Sequence, residues 1–408
     1  MASTACVEGC ASVLKPDVLL VAENGHSGGI GRYCVDLARA LGDRASVVCL
    51  CPETCPGAPH CWLADQCEAR GVGLIPIAMP ARAWRKGFRE LEAVWKTEGR
   101  PIVHVNGRRG NFLAVLGKSR FPGFTFVTTV HGVLGLHARR NAAYRVVDFA
   151  ASQAANAVIA VSADTRRRLA AAGVPSKKTL TISNGLSSDD MGLLTTIAND
   201  RARIAQTARP VRIGFLGRLS PEKGIDEFLL LARRLSAHVG GQYFRVAGSG
   251  PSLLRFTEES AQLVAEGLLE YVGDTSDPAG FLGDIDILVM PSHNEGLPYV
   301  LLEALAAGCA VVAYGVGGIP EVITDASLGT LVRPRDFDAL LTAVSDLVAN
   351  PALRTSIGRS ASHMVRERYA LARRLPLLSK AYETCDPERA GRVPRAAGCE
   401  EDDAPCAP

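Results

Sequence analysis

The strongest constraint on the fold is a repeated alternation. Short apolar runs of four to six residues recur at 17–22, 46–50, 72–77, 101–105, 125–130, 157–161, 179–182, 211–216, 243–247, 269–272, 285–290 and 309–314. Each run reads as a buried strand, and helical stretches lie between them. Such alternation predicts α/β architecture, with parallel sheets covered by helices on both faces. Several runs end in polar or glycine punctuation: Asn106-Gly107, His131-Gly132, Ser162, Gly217 and Gly273-Asp274. In an open parallel sheet, turns at the carboxyl ends of strands face the ligand crevice.

At 408 residues the chain is long enough for two or three domains. Residues 16–190 read as one βα series and 211–368 as another, joined by a polar, weakly patterned connection at 191–210. A helix in 369–386 is expected to cross back to the first domain. The ends, 1–15 and the acidic 387–408, are expected to be disordered, the latter for its Pro, Ala, Gly and acid content. No run of about 18 apolar residues is present, so no transmembrane helix is expected. The first residues lack a basic segment followed by an apolar core, so the expected location is cytoplasmic or peripheral on a membrane.

Charge is uneven. Residues 1–200 carry 23 Lys+Arg against 16 Asp+Glu, and the remainder 22 against 26. A basic first half suits an anionic partner or membrane surface, but the excess is too small and scattered to indicate nucleic acid. Trp84, Phe88, Leu91 and Trp95 form a helical stripe with Arg82, Arg85, Lys86 and Arg89 around it. Packing on the sheet and insertion at a membrane interface both fit that pattern. Arg108 and Arg109 are a second place to meet an anionic acceptor. Twelve cysteines are numerous, and without an export signal they should be thiols. Cys51, Cys55, Cys61 and Cys67 cluster with His60, but they lack the paired C-x-x-C spacing of structural zinc.

The first strand leads into Gly28-Gly29-Ile30-Gly31 and a helix with Ile30, Cys34, Leu37, Ala38 and Leu41 on one face. Glycines at a helix start let backbone N–H groups approach a phosphate. A nicotinamide-binding fingerprint is excluded, because Cys34 stands at its third glycine position and Cys49-Leu50-Cys51 supplies no ribose-binding acid.

The richest stretch is Asn294-Glu295-Gly296-Leu297-Pro298-Tyr299-Val300-Leu301-Leu302-Glu303. Glu295 falls in the turn outside a strand's carboxyl end, and Glu303 about one turn into the helix that follows. Pro298 suits the first helical turn. Taken alone, these are equally a loop acid and a surface residue. In the same half, Gly217-Arg218 through Lys223-Gly224 follows a strand, and Gly248-Ser249-Gly250 follows the next. A planar guanidinium fork and a mobile ammonium in one glycine-flanked turn suit a diphosphate. Alone, Arg218 and Lys223 would be a solvated basic loop; with two acids at the same sheet edge, a ligand clamp explains them better.

These residues, together with His131-Gly132 and Asn184-Gly185, resemble the retaining glycosyltransferases of family 4, which have the GT-B fold. The match spans roughly residues 17–382, and the Glu-x7-Glu segment is its most specific part. The resemblance implies two Rossmann-like parallel-sheet domains facing a central cleft, with the sugar nucleotide on the C-terminal one and the acceptor on the N-terminal one. By the same resemblance, Arg218 and Lys223 would bind the diphosphate, Glu303 the ribose hydroxyls, and Glu295 the donor sugar. Gly28 and Gly29 would approach the diphosphate from the other domain, with Gly217, Gly250, Gly296 and Leu297 supplying backbone. His131 would touch the donor sugar. The partners implied are a UDP- or GDP-sugar and a glycan or lipid-linked acceptor of the cell envelope. No metal cofactor is expected, since Asp284-Ile285-Asp286 lies at a strand start and Asp189-Asp190 in the connection. A sugar-nucleotide epimerase and a non-catalytic sugar-nucleotide-binding subunit are the competing readings.

Overall fold

The structure, a computed structural model, describes residues 16–23, 28–51, 61–80, 83–132, 142–204, 209–238 and 242–386. The terminal segments 1–15 and 387–408 lie outside the described residues, as do Cys55 and His60.

Two all-parallel sheets form. The first contains β1 (Val18–Glu23), β2 (Ala45–Cys51), β3 (Gly73–Ala78), β4 (Ile102–Asn106), β5 (Phe126–Val130), β6 (Ala157–Ala160) and β7 (Thr179–Thr181), in the order β3-β2-β1-β4-β5-β6-β7. The second contains β8 (Val211–Leu216), β9 (Gln242–Ala247), β10 (Leu269–Gly273), β11 (Ile287–Met290), β12 (Ala310–Tyr314) and β13 (Thr330–Val332), in the order β10-β9-β8-β11-β12-β13. The apolar runs become strands because a parallel sheet buries both faces. Along β1, Val18, Leu20 and Ala22 enter one core while Leu19 and Val21 enter another on the opposite face.

Strand order reverses between β1 and β4 in the first sheet and between β8 and β11 in the second. Those switch points open crevices at the strands' carboxyl ends. The turns after β8 and β11 carry Lys223 and Glu295 respectively, so the topology brings together residues far apart in sequence.

The domains share a continuous core in which Leu20, Cys34, Leu297, Tyr299 and Tyr382 belong to one cluster. The backbone also joins them: Leu186 N–H donates to Tyr369 O at 2.8 Å, and Leu371 N–H donates to Leu186 O at 2.8 Å. The last described helix, Leu375–Glu383, lies against β6, and the Tyr382 hydroxyl is 2.9 Å from His104 Nδ1.

The connection is partly helical. It contains one helix, Ser188–Ile204, which begins before residue 191 and packs on the second domain. Its inward face has few large apolar residues, with Leu194 buried, so periodicity understates it. Arg201 on that helix donates to the carbonyls of Leu282 at 2.5 Å and Ala307 at 3.1 Å. The three-residue edge strand β13 has no counterpart among the expected runs.

Candidate active site at the interdomain cleft

The turn leaving β8 is built on tight backbone contacts. Gly224 has φ 73°, and a Cβ there would lie 2.0 Å from Pro291 O, so only glycine fits. His293 N–H donates to Glu222 O at 2.9 Å, tying this turn to the one after β11. The Lys223 ammonium therefore reaches both Glu295 oxygens, Oε1 at 2.7 Å and Oε2 at 2.8 Å. Glu295 is buried, whereas the Arg218 side chain is 64% exposed, its nearest acid Glu222 being 4.0 Å away. Lys223 of the expected clamp thus holds the Glu295 carboxylate, and Arg218 presents its fork to solvent.

Gly217 and Gly250 belong to the same packed turns. A Cβ on Gly250 would lie 2.3 Å from Leu219 O, a backbone contact within the domain. Gly296 packs between domains, where a Cβ would sit 2.1 Å from His131 O. Leu297 is buried, and its carbonyl accepts the Asn184 amide N–H at 2.6 Å. The helix that follows is Tyr299–Ala306. Pro298 is its N-cap, one position earlier than its expected place inside the first turn, and no side chain caps the helix. In its first turn Leu301 N–H donates to Pro298 O at 3.3 Å, and no side chain supplements that bond.

From the first domain, Gly28 caps the helix Gly29–Leu41, and a Cβ on Gly29 would lie 3.4 Å from the Tyr299 ring. His131 ends β5; its Nε2–H donates to Asn106 Oδ1 at 2.9 Å, and its ring meets Tyr33 edge-on. Burial lowers the His131 pKa to about 4, so the imidazole is neutral at physiological pH. Glu321 reaches back across the cleft floor, accepting the N–H groups of Ala163 at 2.8 Å and Asp164 at 2.9 Å at a helix start.

Arg32 is the residue that sequence reading missed. Its guanidinium lies 2.7 Å from Glu303 Oε1, 2.8 Å from Asp190 Oδ1 and 3.6 Å from Asp36 Oδ2. Arg70 completes the cluster by pairing with Asp36 and Asp190. Two guanidinium groups thus meet three carboxylates in a buried site at the domain junction. Burial pushes Asp36 up to about 7, helped by repulsion from Asp190 and opposed by the two arginines. Burial also raises Glu303, which Arg32 counteracts. The only sequence signal was the i, i+4 spacing of Arg32 and Asp36 on the helix Gly29–Leu41.

Glu23 is a second omission. It ends β1 as a half-buried carboxylate that accepts the Arg109 N–H at the start of the helix Arg108–Arg120. Arg109 donates to Met79 O at 3.4 Å, and Arg108 lies 3.6 Å from Asp148. Asp286 accepts two N–H groups from Arg209 at 2.8 and 2.7 Å, and Asp284 pairs with Arg245 at 2.9 Å. Among the described residues, no group of three or more His, Cys, Asp or Glu is arranged around a metal position. Cys34, Cys49, Cys51, Cys61 and Cys67 are buried and form no disulfide among the described residues.

A sequence profile described as Glycosyltransferase Family 4 matches residues 27–190, and one described as Glycosyl transferases group 1 matches residues 197–364. A GDP-mannose-dependent alpha-(1-6)-phosphatidylinositol monomannoside mannosyltransferase from Mycolicibacterium smegmatis is 31% identical over 290 residues, 68% of this chain and 72% of that one. The lipopolysaccharide core biosynthesis mannosyltransferase LpcC from Rhizobium leguminosarum bv. viciae is 30% identical over 188 residues, 44% of this chain and 53% of that one. Among solved structures, Anabaena HepE in complex with UDP-glucose has a TM-score of 0.74 at 19% identity, covering 90% of this chain and 99% of that one. That last likeness concerns the fold alone. With one profile on each sheet domain and a relative aligned across both, the chain belongs to glycosyltransferase family 4 and has the GT-B fold.

Proposed function

We propose that this glycosyltransferase moves a hexose from a UDP- or GDP-sugar to a glycan or lipid-linked acceptor of the cell envelope, with retention of anomeric configuration. The observation that carries the reading is the Lys223–Glu295 pair beside the uncapped start of the helix Tyr299–Ala306. Cleaving a sugar–phosphate bond puts negative charge on the departing diphosphate, and fixed cations and helix N–H groups stabilise it without reorganising. Arg218 and Lys223 take the diphosphate in this scheme, Glu295 the sugar hydroxyls, and Glu303 the ribose. Arg32 occupies Glu303 Oε1, leaving Oε2 for a ribose hydroxyl. His131, neutral, hydrogen-bonds the donor sugar, and Gly28 and Gly29 close over the diphosphate. No step calls on a metal ion. The acceptor attacks from the face the nucleotide leaves, since this scheme assigns no side chain as a covalent nucleophile. The two mannosyltransferase relatives named above support a lipid or lipopolysaccharide acceptor.

The acceptor side faces the inner surface of a membrane. Trp95 and Leu91 of the helix Trp84–Thr97 are buried, but Trp84 is 37% exposed, rests edge-on against Phe112, and has the Arg85 guanidinium 5.3 Å from its ring centre. Among the described residues, no helix is long and apolar enough to cross a membrane. An exposed tryptophan with cations around it suits an anionic lipid surface.

The test is transfer from a labelled UDP- and GDP-hexose panel into a membrane lipid extract, with the product anomer read by NMR and a parallel arm in EDTA. Retained configuration and undiminished rate in EDTA are expected. Inversion would rule out the mechanism, and loss of activity in EDTA would rule out metal independence. An altered free nucleotide sugar formed without acceptor would replace this reading with the epimerase, and donor binding without turnover would replace it with the non-catalytic subunit.

A further inference from the structure

A second charged site lies at the opposite end of the strands that carry the donor residues. Lys223 and Glu295 follow the carboxyl ends of β8 and β11. A cavity of about 130 Å3 opens where those strands begin, beside Val211 and Asp286. Its other walls are the helices Ser188–Ile204 and Pro351–Arg368. Five arginines line it, Arg201, Arg209, Arg354, Arg359 and Arg366, against one acid, Asp286.

These cations are not equivalent. Arg209 is neutralised by Asp286 through two hydrogen bonds at 2.8 and 2.7 Å. Arg201 donates to Leu282 O and Ala307 O and lies 3.6 Å from Asp286 Oδ1, and Arg354 donates to Leu347 O and to Val348 O at 3.0 Å. Those carbonyls sit at or near helix ends, whose dipoles offset only about half a charge each. Arg359 and Arg366 pair with no acid among the described residues, and both are exposed. Spaced seven apart on one helix, they project from the same face toward the cavity. Structural sewing explains Arg201, Arg209 and Arg354. It leaves Arg359 unexplained, and Arg366 too beyond a 3.4 Å hydrogen bond from its Nε–H to Ser362 O in the same helix.

We propose that this cavity binds a small phosphate-bearing solute, with Arg359 and Arg366 as its principal ligands. Guanidinium forks match phosphate oxygens in pairs, and a volume of about 130 Å3 suits one phosphate with a small attached group rather than a polymer. Both chain crossings between the domains leave from the cavity walls. The helix Ser188–Ile204 follows Leu186, and the helix Pro351–Arg368 leads to Tyr369 and Leu371, which hydrogen-bond Leu186. An occupant therefore ties the two crossings together and alters closure of the cleft. This coupling, unlike the site, rests on the donor assignment above.

Isothermal titration with orthophosphate and with glycerol 3-phosphate, against chloride of equal ionic strength, tests the site. The protein carries Arg218→Ala with Lys223→Ala, so that neither cation of the donor clamp contributes. One saturable site is expected, weakened about tenfold or more by Arg359→Ala combined with Arg366→Ala. Circular dichroism of the variant should be unchanged, because both residues are exposed. Absence of saturable binding, or binding unaltered in the double variant, would overturn the site. Binding of phosphatidic acid vesicles through these arginines without binding of either solute would overturn the soluble ligand. In the wild-type chain, occupancy should change nucleotide affinity by about fivefold or more. Unchanged affinity would overturn the coupling alone.

Discussion

Arg32→Met tests the buried cluster at the domain junction. The substitution keeps much of the volume and removes the cation shared by Glu303, Asp190 and Asp36. Arg70 still reaches Asp36 and Asp190, but no other arginine is paired with Glu303 among the described residues. Stranding one partner of a buried ion pair costs about 3–5 kcal/mol. The Arg32 side chain is 15% exposed, which places the expected loss near the lower end, about 3 kcal/mol. The pH dependence follows from the direction of the shifts. Burial already holds Glu303 above its ordinary value, and losing Arg32 raises it further. A carboxyl with a raised folded pKa binds more protons folded than unfolded, so its contribution falls as pH rises from the ordinary carboxylate range through the folded value. Asp36 and Asp190 move in the same direction when Arg32 is removed. The deficit should therefore be small near pH 4.5 and full at pH 8. Urea unfolding of both proteins at the two pH values measures it, with tryptophan emission as the probe, since all three tryptophans (Trp62, Trp84 and Trp95) lie in the first domain. A loss below about 1 kcal/mol at pH 8, or a deficit that narrows as pH rises, would refute the assigned role of Arg32.

His131 and His104 are held neutral by burial, at pKa values of about 4 and about 3. The unfolded chain protonates them near 6.5, so stability should fall as pH drops from 6.5 toward 4. His104→Gln should flatten that limb by an amount on the order of 2 kcal/mol, and an unchanged slope in urea titrations would contradict it. Gly296→Ala puts a Cβ about 2 Å from the His131 carbonyl, with backbone on both sides, so the closed cleft cannot persist. Solution scattering should show a larger radius of gyration, and nucleotide affinity should fall; an unaltered scattering curve would count against that contact. Trp84→Ala with Arg85→Ala should abolish sedimentation with anionic liposomes at low salt. Binding that survives both changes, or no binding by the parent protein, would remove the membrane assignment.

The strands were legible because buried parallel strands are continuous apolar runs, as at 285–290 and 309–314. The Glu295–Glu303 segment was legible for a related reason, since its acids interrupt an apolar context in a turn that topology assigns to the crevice. The pairing of Lys223 with Glu295 was only partly so: both were placed at one sheet edge, but their direct contact needs the Pro291–Gly224 packing. Arg32 was hidden because its partners come from the other domain and from the connection, and one sequence carries no record of such contacts. The helix Ser188–Ile204 was blurred because Arg201 fixes it through backbone carbonyls, which have no sequence signature. Glu23 reads as a loop acid until the helix start it caps is folded beside it.

The most direct test of the donor site is nucleotide binding by calorimetry, with UDP, GDP and ADP, to the wild-type chain, Lys223→Ala and Glu303→Ala. One nucleoside diphosphate is expected to bind the wild-type chain, with affinity falling about tenfold or more in each variant, since both lose charge-assisted hydrogen bonds. Absence of binding by all three, or binding that both variants retain at wild-type strength, would contradict the assignment of Lys223 and Glu303 to a sugar-nucleotide site.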